Sequence, residues 1–338
     1  MTETAVIERV TLSHGAGGPA MTELVRQVFL SAYGDCGETG DDSAILDVDS
    51  GRIAFTTDSF IVDPLFFPGG DIGRLSVAGT VNDLLTAAAR PVAVAASFII
   101  EEGFEIEPVK TIASSMHETA REAGVRIMTG DTKVVPAGAA DKVFITTTGV
   151  GVVLRDGVSG SNVSPGDRVI VTGSVGDHGA AVLLARENLL DAPQARSDVA
   201  PLTEIVLSLI ESDCEIHAMR DPTRGGLAAA LNEIARQSGV AIEIDETSVP
   251  VTPEVRAVCE ALGLDVLQVA NEGKMLVFVA HRHWEQALSV VRASRYGTNA
   301  QVIGEATSGP AGRVTLRTVI GTSRLLRPPV GELLPRIC

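Results

Sequence analysis

The chain reads as an α/β (α+β) protein of two domains followed by a mobile C-terminal tail. Three observations predict this. Its 338 residues are 45% hydrophobic but only 4% aromatic, a balance that suits helices packed on sheets better than an all-β sandwich. Short runs rich in Val, Ile, Phe and Thr occur among segments of helical period. A Ser/Gly/Pro/Asn stretch, Asp156–Gly166, parts two halves of similar content. The domains are therefore expected over 1–155 and 156–320, and the tail over 321–338.

In the first half, a helix is expected at Ala20–Ser31, just after a proline, and a strand at Ile53–Thr57. Gly73–Ala88 reads as an apolar helix. Val92–Ile100 is about half a membrane span and reads as a buried strand. A helix at Pro108–Ala123 ends at glycine, and a strand at Val143–Leu154 closes the half. The second half has strands expected at Arg168–Thr172, Ala241–Ile244, Lys274–Val279, Ala300–Ile303 and Val314–Leu316, bounded by Gly, Pro or Asp. Between them lie helices expected at Gly176–Arg186, Pro201–Glu211, Gly225–Gln237, Pro253–Leu262 and Trp284–Arg295. Gly321–Cys338 (GTSRLLRPPVGELLPRIC) has three prolines, two glycines and no helical or strand period. Fully extended, it carries the terminal thiol up to ~60 Å.

The net charge of −16 argues against broad nucleic-acid binding, which needs a basic footprint. No membrane span is expected, and the N-terminus lacks the pattern of a signal peptide. None of the four cysteines, Cys36, Cys214, Cys259 and Cys338, forms a C-x-x-C pair, so a zinc site or disulfide framework is not expected. Reduced thiols suit a cytoplasmic protein.

Five segments gather glycine with carboxylates, and each has an ordinary reading when taken alone. His14-Gly15-Ala16-Gly17-Gly18 precedes a helix, where backbone N–H groups approach an anion, though a plain loop also fits. Gly40-Asp41-Asp42-Ser43 sets two acids side by side, solvated or retained for a hard cation. Asp58 ends a strand as a binding group or a turn residue. Asn82-Asp83 lies in the apolar helix, where helical spacing puts Asp83 on a small polar face with Ser76, Gly79, Thr80 and Ala87; a buried charge there needs a partner. Asp221-Pro222-Thr223-Arg224-Gly225-Gly226 opens a helix, as an N-cap or as a joint metal and phosphate site. Thr129-Gly130-Asp131-Thr132-Lys133 adds a lysine able to neutralise phosphate. Carboxylates for a metal, with backbone N–H and lysine for phosphates, are the mixture that magnesium–nucleotide binding needs.

These segments, GDDSA, TTDSF, VNDLL, TGDTK and DPTRGGL, resemble the ATP-binding superfamily of aminoimidazole ribonucleotide synthetase and selenophosphate synthetase. Within it, HGAGG, ANEGK and the terminal PRIC resemble the carbamoyl dehydratases of hydrogenase maturation, over nearly the whole chain. Selenophosphate synthetases carry a catalytic Cys or selenocysteine beside a lysine near the N-terminus, a setting that Cys36 lacks. The resemblance implies a two-domain PurM-like fold, a homodimer paired through N-terminal strands, and ATP and Mg²⁺ as cofactors. It implies that a carbamoyltransferase, HypF, loads the Cys338 thiol. ATP-dependent dehydration then gives an S-cyanide, which passes to iron on a HypC–HypD complex for the NiFe centre. On this reading Asp41, Asp42, Asp58, Asp83 and Asp221 form the pool for Mg²⁺. Gly17 and Gly18 cradle phosphate, Lys133 contacts it, and Asn82 and Asp131 join the nucleotide site. Glu272 is the candidate base, with His14 as the alternative. The α-carboxylate of Cys338 disfavours its thiolate, to be offset by Arg336 or by the partner enzyme.

Overall fold

The computed structural model describes residues 9–15, 18–33, 40–49, 51–187, 195–329, 331 and 334–338. The first sheet holds β1 (Ala44–Val48), β2 (Gly51–Phe60), β5 (Ala89–Glu101), β6 (Arg126–Val135) and β7 (Val143–Val153) in the order β1-β2-β7-β5-β6. A two-residue-strand hairpin, β3 (Phe66–Phe67) and β4 (Gly70–Asp71), follows β2. The second sheet holds β8 (Arg168–Val171), β9 (Ile216–Arg220), β10 (Ala241–Asp245), β11 (Leu276–Val279), β12 (Gln301–Thr307), β13 (Val314–Arg317) and β14 (Ser323–Leu325). Its order is β14-β13-β10-β12-β8-β11-β9.

The helices are α1 (Pro19–Leu24), α2 (Ser31–Tyr33), α3 (Ile72–Thr86), α4 (Ile106–Ala123), α5 (Asp177–Arg186), α6 (Thr203–Glu211), α7 (Gly226–Ser238), α8 (Pro253–Leu262) and α9 (Trp284–Ala293). Every expected helix forms within a few residues of its expected span. The first is interrupted by a π-helical stretch over Val25–Leu30, between α1 and α2. Start and stop chemistry explains the agreement. Thr252 caps α8 with Pro253 behind it, and Gly124, Gly239 and Gly263 end α4, α7 and α8 in the left-handed region.

Helix α3 is the hub. Asp71 caps it, accepting from the Gly73 and Arg74 amides at 2.7 and 3.1 Å. Ile72, Leu75, Val77, Val81, Leu84 and Leu85 are fully buried. Those six side chains contribute about 9–18 kcal/mol before conformational entropy is charged. Asp156–Gly166 joins β7 to β8 and holds a 3₁₀ turn at Gly160–Asn162, and the core is continuous across it. One apolar cluster runs from Phe60, Leu75 and Ile145 through Ile170, Leu209 and Val277 to Ile337.

Six strands differ from expectation: β1, β3, β4, β6, β9 and β14. β6, read as a Gly-Asp turn around Asp131, is a strand in parallel register with β5, Asp131 facing Ser97 and Lys133 facing Ile99. β1 and β9 are short and lack a β-rich composition. β14 lies in the tail, where no strand was expected. It pairs with β13 through backbone groups, which require no side-chain period. Both β1 and β6 are exposed on nearly all their residues and flank the first sheet.

Candidate functional site

The end of β2, the middle of α3 and three loops of the second half meet around one cavity of about 660 Å³. Asp58 reaches it from β2 and Asp83 from α3. Asp42 comes from the segment before β1, Asp221 and Arg224 from the turn between β9 and α7, and Glu272 from the loop before β11. Cys338 also lines it. Thr56 Oγ1 donates to Asp83 Oδ2 at 2.8 Å, and Ser43 Oγ donates to the Asp83 carbonyl at 2.8 Å. Arg220 Nε lies 3.1 Å from Asp42 Oδ1, and the same side chain pairs with Glu233 at 2.5 Å.

Five acids in one chamber, Asp83, Asp221 and Glu272 buried and Asp42 and Asp58 half-buried, resist joint ionisation. Burial is the first cause in every case, and the acids raise one another. It lifts Asp42 and Asp83 well above the usual carboxylate range. For Asp42, Arg220 opposes the shift while Asp221 adds to it. Asp221 is pushed up to about 6, and Asp58 is raised against the pull of Arg224. Glu272 is also driven well above its ordinary value by burial and then by Asp221, Asp198 and Asp58. Two oxygens, Asp42 Oδ2 and Glu272 Oε1, are buried without a hydrogen-bond partner.

Such a chamber fits a hard cation. Among the described residues, no three acid, His or Cys side chains come together tightly enough to enclose an ion alone. Mg²⁺ keeps waters and takes one or two carboxylates together with phosphate oxygens. A second cavity, of about 630 Å³, shares Ser59, Arg224 and Cys338 with the first and is lined by Gly15, Gly225 and the tail.

The tail end is bound by its backbone. The Ile61 amide donates to the Cys338 carboxyl oxygen at 3.1 Å, and the Asp63 amide donates to the Arg336 carbonyl at 3.2 Å. Arg186 Nη2 donates to the Arg336 carbonyl at 2.8 Å, and His178 Nε2 meets the Ile337 carbonyl at 2.7 Å. Ile337 is buried. The Cys338 thiol is pushed up to about 12 by burial, with Arg224 opposing and Glu272, Asp58 and Asp221 reinforcing. Docked, it is a neutral thiol.

Several expected residues sit elsewhere. Asp41 does not line the chamber; its Oδ1 accepts from the Gly160 amide at 3.0 Å and Gln237 Nε2 at 2.9 Å, tying the Gly40–Ser43 segment to the second half. Asn82 points away from Asp83. Its amide donates to the Ala200 and Glu272 carbonyls at 3.1 and 3.3 Å and accepts from the Leu202 amide at 2.9 Å, so its capacity is spent on packing. His14 is half-buried outside the chamber and caps its own turn, its Nδ1 accepting from the Thr11 amide at 3.0 Å. Lys133 and Asp131 pair at 2.6 Å on exposed β6, outside the chamber. Gly18, at φ 86, caps α1; Gly17 and Cys36 lie outside the described residues. Arg336 turns from the thiol to Asp141 and the Ile61 carbonyl.

Sequence reasoning missed Arg224, the cation that does face the thiol. Cys338 is foremost among the groups raising it, burial opposes, and Asp58 and Glu272 follow. Its signal, an arginine beside two glycines at a helix start, also describes an ordinary cap. Lys274 and Asp198 were missed as well; they pair at 3.2 Å behind Glu272.

Comparison with known proteins matches this architecture. Residues 40–153 match the AIR synthase related protein, N-terminal domain, and residues 164–317 match its C-terminal domain. Carbamoyl dehydratase HypE of Rhodobacter capsulatus is 48% identical over 336 residues, covering 98% of each chain. That of Escherichia coli K12 is 42% identical, covering 98% of this chain and all of the other. A crystal structure of HypE in complex with ATP superposes with a TM-score of 0.83 at 46% identity, over 97% of this chain and 100% of that one. A HypE–HypF complex gives 0.85 at 46% identity, over 90% and 99%. ThiL complexed with AMPPCP and TMP, at 19% identity and 0.71, shares the PurM-like fold. The matched domains, the near-complete coverage and the terminal thiol inside the acidic chamber together place the chain in the HypE family of carbamoyl dehydratases.

Proposed function

We propose that the chain strips water from a carbamoyl group carried on Cys338, with ATP as the driving reagent, during maturation of NiFe hydrogenase. One observation carries the reading: the sulfur at the chain's end lines the same chamber as Asp42, Asp58, Asp83, Asp221 and Glu272. An amide oxygen is a poor leaving group. When it attacks the γ-phosphorus, a C–O–P bond forms and ADP leaves. The C–O bond then breaks as phosphate departs, nitrogen gives up its protons, and S–C≡N remains. Phosphoryl transfer of this kind calls for positioning and charge neutralisation more than covalent help.

One or two of Asp42, Asp58, Asp83 and Asp221 would hold Mg²⁺, which would neutralise phosphate charge when bound. Glu272 is the candidate acceptor of a nitrogen proton, because its Oε1 is buried, unpartnered and in the chamber that holds the sulfur. Arg224 stabilises negative charge beside the thiocarbamate. Burial of the chamber keeps water from the activated phosphate.

The docked thiol, pushed up to about 12, is a poor nucleophile, so loading belongs to an undocked tail. The chain is anchored as far as Leu326, which is buried beyond β14 and whose amide donates to the Val314 carbonyl at 3.0 Å. The arm is then residues 327–338 and reaches at most ~43 Å. Its partners are HypF for loading and a HypC–HypD complex for delivery. The exposed apolar residues of the first sheet, Ile45, Phe55, Ile99, Ile127 and Val152, support a homodimer formed there, bringing Lys133 to the interface. No helix among the described residues is long and apolar enough to cross a membrane; the cytoplasm is the proposed compartment.

Mass spectrometry of the whole chain tests this. Supplying HypF and carbamoyl phosphate should add a carbamoyl group at Cys338, and ATP should then remove one water. Turnover of ATP on a small molecule by a Cys338→Ala chain would instead favour a kinase of the same superfamily.

A further inference from the structure

His178, at the start of α5, has no place in the chemistry above, yet it is fully buried against the tail. Its Nε2 lies 2.7 Å from the Ile337 carbonyl, and a carbonyl only accepts, so Nε2 carries the hydrogen. Its Nδ1 is 2.8 Å from Ser197 Oγ and accepts from it. Phe67 meets the ring edge-to-face at 5.3 Å, fixing its plane. Ser197 is itself pinned: its amide donates to the Pro68 carbonyl at 2.7 Å, and its Oγ accepts from the Val199 amide at 3.1 Å.

The next residue, Asp198, grips the loop of the candidate base. Its two oxygens accept from the Glu272 and Gly273 amides, each at 3.2 Å, and it pairs with Lys274. Two adjacent residues therefore face two moving parts of the reaction. Ser197 orients the histidine that holds the peptide next to the thiol, and Asp198 sets the backbone of Glu272.

We propose that His178, Ser197 and Asp198 form a positioning strap that locks the docked tail in register with Glu272, so that sulfur and carboxyl are aligned only when Ile337 is latched. This rests on the reading that water is lost in the docked position. His178 touches neither the carbamoyl group nor ATP; it acts through the tail's backbone. Loading, which uses the undocked arm, does not need the latch.

The test is a set of full-length variants assayed in two separate steps. His178→Phe keeps the ring against Phe67 and removes the donor; His178→Gln restores a donor; Ser197→Ala removes only the hydroxyl that orients the ring. Carbamoylation by HypF should stay within about twofold of the parent for all three. ATP-dependent water loss, followed by mass in a single turnover, should fall about tenfold or more in His178→Phe, less in Ser197→Ala, and recover most of its rate in His178→Gln. Alkylation of Cys338 by iodoacetamide should quicken in the same order, reporting a tail that spends longer undocked. Water loss at the parental rate in both His178→Phe and Ser197→Ala overturns the strap. So does equal loss of loading and dehydration in all three, which would mark a merely structural residue. If His178→Phe fails to fold, the contrast between Ser197→Ala and the parent decides by the same criteria. A parent that loads but never loses water would sink the reading of the site itself, a result distinguishable from failure of the strap alone.

Discussion

Replacing Gly273 with alanine should separate the folding role of the Glu272 loop from its chemical one. A Cβ built at Gly273 lies 1.9 Å from the Asp198 carbonyl oxygen, 2.8 Å from its carbon and 3.1 Å from the Ala200 nitrogen. All three are backbone atoms, so no side chain can swing aside. Reaching a tolerable C···O distance of ~3.3 Å requires the two loops to part by about 1.4 Å. That movement strains the bonds from the Glu272 and Gly273 amides to Asp198, and Asn82's grip on both loops. Losing two hydrogen bonds to a carboxylate costs about 3 kcal/mol. For a chain of this length that lowers Tm by roughly 4 °C. Glu272 moves with its loop, and a shift of about 1 Å at a reacting group costs about a hundredfold in rate. Calorimetry reads the first effect, and single-turnover mass measurement of carbamoylated protein plus ATP reads the second. Loading by HypF should be unchanged. Dehydration at the parental rate in Gly273→Ala would refute the claim that this loop's position governs the reaction, whatever happens to Tm.

Two further outcomes follow from the same geometry. Adding a single glycine after Cys338 should cut water loss by about a hundredfold, because the Cys338 carboxyl oxygen is already bound by the Ile61 amide and a further residue disturbs that anchor and the sulfur beside it; normal cyanation of the extended chain, measured by mass, would contradict this. Asp177→Asn should stabilise the protein at neutral pH. Burial, helped by Asp198 and opposed by Lys274, raises Asp177 to about 6 from 3.8, so ionising it in the folded state costs up to about 3 kcal/mol. For a raised acid, that stability is fully present below the unfolded value and is lost as pH rises through the folded one. The gain in Tm over the parent should therefore be largest above pH 7 and vanish near pH 4. A gain independent of pH would point to packing instead.

What the sequence disclosed, and what it hid, divides along physical lines. Helices were legible because their signals are local: apolar period, a proline or Thr at the start, a left-handed glycine at the end. β6 was hidden because Thr-Gly-Asp-Thr-Lys has turn chemistry, and only parallel pairing with β5 makes it a strand. The acids were legible as a set, since carboxylates beside glycine at element ends are rarely neutral features of a core. Their individual directions were not. Asp41 and Asp42 are neighbours, yet one ties Gly160 and Gln237 while the other enters the chamber. Asn82 and Asp83 are neighbours on one helix, and about 100° of rotation sends Asn82 to the Glu272 carbonyl, 190 residues away, and Asp83 to the cavity.

The same contrast explains why Arg224 was overlooked and Arg336 overvalued. Arg336 is two residues from the thiol along the chain, which made it the natural counter-charge. In the fold, its left-handed backbone (φ 53) accompanies a turn of its side chain toward Asp141. Arg224, far away in sequence, takes the place beside the sulfur because the tail threads between β2 and α5 and ends there. Proximity in sequence guides charge pairing only where the backbone between two residues is regular. At a chain end held carbonyl by carbonyl, the docking site decides which cation the thiol meets. The state of the sulfur is therefore a property of tail docking, and any change that frees Ile337 also changes the charge that Cys338 feels.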